Sequence, residues 1–283
     1  MEDRKHFFFL NVEHFLDHLF KLIFATVAAL ALTKDWELGY SELIPYATPG
    51  LIAFGVFALP AGWLADRWSR EGVMGMFFMG IGLAAIGTSF VKNPIQMVVG
   101  LFIIGMFAAI YHPVGLAMIA RGGQQMGRDI AFNGVWGNIG VGCAALLTGF
   151  LIDLTSWRTA FWLPGLISAF FGLAYLFSCR ERVPLNNAAT VSFDKPSSKN
   201  TQQICSDEWK VMVIRVTGII FFTTAVARIV FQGTTFALPK VFEEQLGVIA
   251  TTATMLGWLT FIVFYSGFLF TGCRGEDVGH PWS

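Results

Sequence analysis

The chain has 283 residues, of which 55% are hydrophobic and only 13% charged, with 29 Phe and 30 Gly. That balance lies well to the apolar side of ordinary soluble domains and makes a bilayer the expected solvent. Formal net charge is zero, so the basic excess with which nucleic-acid binders release phosphate counterions is absent, and nucleic acid is excluded as a partner.

The N-terminal "MEDRKHFFFL" imitates the basic start of a secretion signal and "ALA" at 29–31 its cleavage site. Glu13, His14, Asp17, His18 and Lys21 interrupt the apolar stretch that a signal needs, so residues 7–33 are expected to be a retained first helix. At about 100° per residue these five ionisable groups share one face of that helix. A mid-span Asp or Lys costs about 2.5 to 3.5 kcal/mol on insertion scales, so the stripe must face the bundle interior or water. Glu13, Asp17 and Lys21 form an i, i+4 ladder in which Lys21 can neutralise Asp17. Two readings of these three stand: ion partners near the inner headgroups, or functional groups. For His14 and His18 the functional reading is preferred, because an imidazole pair one turn apart titrates near neutrality and can relay protons or hold a solute.

Further apolar segments follow at 43–65, 72–91, 95–120, 130–152, 159–178, 211–233 and 249–271, each near the roughly 20 residues of helix that cross a hydrocarbon core. The runs are continuous rather than alternating, which predicts an all-α integral membrane fold and not a barrel. In the fourth segment, "AIYHPVG", Pro113 is expected to kink the helix, and His112 either satisfies a freed carbonyl or faces an internal cavity. The glycines of the third segment (Gly75, Gly80, Gly82, Gly87) and the fifth (Gly134, Gly137, Gly140, Gly142, Gly149) are read as packing surfaces. "GIGLAA" and "GVGCAA" do not follow a strand, so they are not dinucleotide fingerprints. Arg228 lies well inside the seventh segment and requires an anion or a carboxylate.

Arg4, Lys5, Arg67, Arg70, Arg121, Arg128, Arg180, Arg182, Lys195, Lys199 and Lys210 fall on one set of connections, against Lys34, Lys92, Arg158 and Lys240 on the other. By the positive-inside rule the first set is cytoplasmic, which puts both termini inside, in the inner membrane of a cell. Cys179, Cys205 and Cys273 are then in a reducing compartment, and with Cys143 they lack the paired spacing of zinc ligands. The polar stretch 179–210 reads as a linker between bundles at 7–178 and 211–271, followed by a tail at 272–283. "LALTK" at 30–34 and "FALPK" at 236–240, each read as closing a helix, hint at an internal repeat.

"PAGWLADRWSREG" at 60–72 places Gly62, Asp66, Arg67 and Arg70 between the second and third segments. This Gly-x-x-x-Asp-Arg-x-x-Arg loop resembles the cytoplasmic loop signature of the major facilitator superfamily, and "SWRTAFWLPG" at 156–165 resembles that superfamily's passage into helix 6. The resemblance implies twelve helices in two six-helix bundles, a cavity lined by helices 1, 4, 7 and 10, and alternating access. It implies close packing at Gly62, an acidic gate residue at Asp66 and basic partners at Arg67 and Arg70. Ser69 and Glu71 depart from the usual Gly and basic residue. Leu101 replaces the helix 4 Arg of drug antiporters and helix 5 has no Pro, which disfavours that class. Eight helices are expected, so the chain reads as a six-helix N-terminal bundle plus the first two helices of a C-terminal one, truncated relative to the family.

The expected function is secondary active transport of a small anionic or zwitterionic solute, coupled to protons. His14 and His18 are the candidate proton sites, and His112 and Arg228 the candidate solute contacts. A second reading is efflux of the fosmidomycin-resistance type, which the helix 1 His and Asp and the helix 4 His-Pro resemble. A third is a non-transporting membrane fragment or assembly protein. No enzyme motif, cofactor or metal is expected, and an integral-membrane enzyme is disfavoured because the histidines are not clustered like metal ligands. Solute, direction and oligomeric state are not legible.

Overall fold

The computed structural model describes residues 2–120, 125–180 and 207–273. It is all-α over these residues, with α1 at Glu2–Val27, α2 at Thr48–Arg67, α3 at Arg70–Thr88, α4 at Pro94–Ile119, α5 at Met126–Leu154, α6 at Thr159–Arg180, α7 at Asp207–Leu246 and α8 at Ala253–Cys273. The first span continues from α1 through a π-helical turn, Ala28–Leu32, to Asp35. Among the described residues seven helices are long and apolar enough to cross a membrane, and in α8 the stretch Ala253–Ser266 is a shorter apolar helix. The eight expected segments therefore each correspond to a helix. Most of the expected linker at 179–210, with Cys205, and the tail from 274 lie outside the described residues.

Two units partition the chain: residues 1–181 together with 236–283, and residues 182–235, whose described part is the 207–235 stretch of α7. Within the first unit α1 packs along α5, α3 along α6, α2 along α4, and α8 along α5. Of the spans, α1 is the most deeply buried. Phe20, Ile23, Phe24, Phe77, Phe78 and Ile81 fill the interior, while Leu59, Phe90 and Ile95 point outward. An apolar exterior around a helical interior is what a lipid solvent permits, because each backbone hydrogen bond is satisfied within its own helix.

Local chemistry sets the helix ends. Ser69 Oγ accepts from Gly72 N at 3.0 Å and starts α3, so the serine that replaces the expected loop glycine is an N-cap. Asn93 caps α4 through Gln96 N, with Pro94 at its first position. Asp153, near the end of α5, accepts from Ala253 N (3.1 Å) and Thr254 N (2.7 Å) at the start of α8, joining two helices by a cap supplied from a neighbour. Arg158 donates to the Ser89 and Val91 carbonyls at 2.6 and 2.8 Å, tying the α5–α6 turn to the end of α3.

One expectation about helix geometry holds and one needs correction. α4 does break near Pro113: helix stops at Ala108 and resumes at Tyr111, where the proline has no N–H to give the Ala109 carbonyl. α7, expected to close at 233, runs on to Leu246. "FALPK" therefore lies inside a helix instead of closing one, and the repeat with "LALTK" loses its structural basis. Lys240 pairs with Glu243 and Glu244 across one turn, which supports the polar extension.

Candidate functional site

The site grows from the face of α1 read in the sequence. Small residues on α5 let this polar face approach: a Cβ on Gly140 would sit 2.4 Å from the Phe15 carbonyl oxygen, and one on Gly137 would sit 2.5 Å from His14 Nε2. The glycine stripe is thus partly the packing surface expected of it, although Gly134 and Gly87 face open space.

Against that face α4 and α5 bring three polar groups. Asn133 of α5 is fully buried; its Nδ2 donates to the Leu10 carbonyl (3.2 Å) and Asn11 Oδ1 (2.9 Å). Its Oδ1 accepts from Tyr111 Oη at 2.6 Å, and His14 Nδ1 lies 2.8 Å from its backbone oxygen and 2.9 Å from Oδ1. The Tyr111 ring stacks on His14 with centroids 4.6 Å apart. His14 is thereby fixed in orientation, and its Nε2 lies 3.2 Å from His18 Nε2.

Asp17 is fully buried and holds Lys21 Nζ at 2.7 Å and His112 Nε2 at 3.3 Å. The ladder reading is thus realised for Asp17 and Lys21, and His112 faces the helix 1 carboxylate across the bundle rather than a freed carbonyl of its own helix. Lys21 also sits 4.2 Å from the centre of the Phe54 ring, an added stabilisation for a cation in a dry setting. Glu13 is fully buried, and neither carboxyl oxygen has a hydrogen-bond partner among the described residues. His14, His18 and His112 each offer a ring nitrogen within 4.8 Å of the others. Three histidines scattered in sequence are therefore clustered in space, contrary to the reasoning that set metal ligation aside.

Other candidates lie elsewhere. In the α2–α3 loop Arg70 Nη2 donates to Asp66 Oδ1 at 3.0 Å, and Arg67 stacks over Trp63 at 4.7 Å. Gly62 lies inside α2, and a methyl group there would meet Pro113 Cβ at 3.6 Å, an ordinary contact, so the position has room for alanine and the close packing expected of it is not required. Arg228 is in α7 and its side chain lies outside the described residues. Sequence reasoning missed Asn133 and Tyr111. Their signal was present: an amide in an otherwise apolar, glycine-rich span, and a tyrosine beside His112. A cavity of about 120 Å³ lies between α5 and α8, walled by Asn138, Gly142, Phe261, Phe264 and Tyr265.

A family comparison matches residues 14–273 to the Major Facilitator Superfamily. Over 169 residues the chain is 25% identical to the 4-hydroxybenzoate transporter PcaK of Pseudomonas aeruginosa, covering 59% of this chain and 38% of that protein. Over 156 residues it is 30% identical to the niacin transporter NiaP of Acinetobacter baylyi, covering 54% and 34%. The chain spans well under two thirds of the length of these curated relatives. The crystal structure of the nucleoside transporter NupG aligns with a TM-score of 0.66 at 15% identity, over 95% of this chain and 67% of that one, a likeness of fold.

Proposed function

The chain belongs to the Major Facilitator Superfamily, and from that premise we propose that it serves secondary active transport of a small organic anion by alternating access, driven by protons across an inner membrane with both termini cytoplasmic. The observation that carries this reading is the buried Asp17 held between Lys21 and His112. A charge placed so deeply in a membrane bundle requires a purpose or a partner, and this set joins α1 to α4, the two helices of this bundle that the family resemblance places against the central cavity. Among the described residues Lys21 is the cation of this set that an anionic solute could meet, and Arg228 is kept as a candidate solute contact on the strength of its place in an apolar span. The relatives named for 4-hydroxybenzoate and niacin support an aromatic carboxylate, and Phe261 and Tyr265, stacked at 5.7 Å beside Asn138, suit a planar ring.

Protons enter the proposal through geometry. His14 and His18 share a hydrogen bond, and His112 meets Asp17, so proton-exchanging groups lie in a continuous set along one face of α1. Asp66, Arg67 and Arg70 are assigned to gating. The test is uptake of labelled 4-hydroxybenzoate and nicotinate by proteoliposomes under an imposed pH gradient. Saturable uptake that collapses with a protonophore and with Asp17→Asn is expected. Uptake indifferent to the protonophore would remove proton coupling. Accumulation under only the reversed gradient would favour the efflux reading that the His112-Pro113 and helix 1 His residues also carry. No movement of any probe in either direction, with folded protein, would favour a non-transporting role.

A further inference from the structure

We propose that His14, His18 and His112 form a binding site for a borderline divalent transition metal of the Zn²⁺ class, within the bundle and independent of the transport reading. Three observations converge on it. The first is spacing: the two α1 nitrogens, His14 Nε2 and His18 Nε2, are 3.2 Å apart. A tetrahedral ion with metal–nitrogen bonds of about 2.0 to 2.1 Å places its ligand atoms roughly 3.3 Å apart. One nitrogen of His112 lies within 4.8 Å of both, close enough for a side-chain rotation to complete the triangle.

The second is orientation. A metal-bound imidazole characteristically gives its other ring N–H to a carbonyl or a carboxylate, which fixes the tautomer and aims the free lone pair. His14 Nδ1 has the Asn133 backbone oxygen at 2.8 Å, so the N–H points there and leaves Nε2 facing His18. His112 Nε2 has Asp17 Oδ2 at 3.3 Å, a carboxylate partner of the kind that orients a metal-bound imidazole. His18 makes its lone pair available when its proton moves from Nε2 to Nδ1, a tautomer change that neither adds nor removes a proton.

The third is the donor set. Three neutral imidazoles suit Zn²⁺, Co²⁺, Ni²⁺ or Cu²⁺ and not Mg²⁺ or Ca²⁺, which favour oxygen. Asp17 and Lys21 neutralise one another beside the site. His18 and His112 are only partly buried, so an ion can reach them, and a fourth position remains for water or a solute carboxylate.

The experiment is equilibrium binding of Zn²⁺, and of Co²⁺ as a spectroscopic probe, to tag-free protein purified in detergent. One ion per chain is expected, with visible Co²⁺ bands of tetrahedral intensity. His18→Ala and His112→Ala should each weaken binding by more than tenfold, while His6→Ala and His280→Ala leave it unchanged. His18→Gln and His112→Gln, checked for helicity and monodisperse elution, guard against loss by misfolding. Absence of stoichiometric binding, a pale octahedral Co²⁺ spectrum, or affinity indifferent to both His18 and His112 would overturn the site. Because binding is read directly, a chain that moves no solute still tests it, and a chain that transports but binds no metal separates the two proposals.

Discussion

Asp17–Lys21 and Asp66–Arg70 are the same motif in sequence: an aspartate followed by a base four residues on. In space they are opposites. The first pair is at 2.7 Å with the aspartate side chain fully buried and the lysine 13% exposed; the second is at 3.0 Å with the aspartate 69% exposed. Spacing sets the geometry of both pairs, and surroundings set their worth. Water and headgroups screen the loop pair to well under about 1 kcal/mol, whereas the α1 pair cannot lose one member without stranding the other in a low dielectric.

That contrast predicts the largest effect at Asp17. Asp17→Ala leaves Lys21 without its carboxylate and is expected to lower unfolding stability by about 3 to 5 kcal/mol, measured by denaturant titration in detergent. Lys21→Met added to Asp17→Ala should recover much of the loss, since removal of both charges leaves an apolar core. If the double variant is no more stable than the single one, Asp17 acts mainly through His112 and the pairing argument fails.

Next in size are the groups that bring α5 against α1. In Gly140→Ala the new methyl meets the Phe15 carbonyl oxygen, backbone that cannot swing aside, and a loss of about 1 to 3 kcal/mol is expected. Gly134→Ala, with nothing within 4 Å, is the matched control and should be neutral or slightly stabilising. Asn133→Ala removes the acceptor of Tyr111 Oη and two donated bonds. A loss of about 1 to 3 kcal/mol is expected for the buried groups left unsatisfied, with a weaker effect for Tyr111→Phe, which removes only one bond. Thermal unfolding of the four variants in one detergent ranks them.

How much of this was legible beforehand depends on distance along the chain. The α1 stripe was readable because i, i+4 spacing converts directly into a shared face, and the membrane forces that face inward. The loop motif was readable as a local pattern. The meeting of His112 with Asp17 was not, because it depends on how α4 breaks before Pro113 and crosses α1. Asn133 escaped notice because a polar residue flanked by glycines in an apolar span reads as part of a packing surface. It is instead the acceptor and donor around which α1, α4 and α5 converge. The end of α7 was misplaced because Pro239 and Lys240 resemble a terminator, yet a helix bounded by i, i+3 and i, i+4 ion pairs passes through them.

Among the charged groups the smallest expected stability change is at Asp66, and it is the sharpest test of the comparison. Asp66→Asn removes one exposed ion pair with Arg70, leaves the Ser69 cap of α3 in place, and should shift stability by well under about 1 kcal/mol. If the loop is a gate, the same substitution slows solute exchange at least severalfold, because the carboxylate's value lies in a contact made in one conformation and released in another, not in holding this fold together. Reconstituted exchange rate and unfolding midpoint, measured on the same preparation, separate the two. A variant that keeps both unchanged would make the Asp66 loop a solvated helix end. A variant that loses both would show that exposure had misjudged its role, and the contrast with Asp17 would then rest on something other than burial.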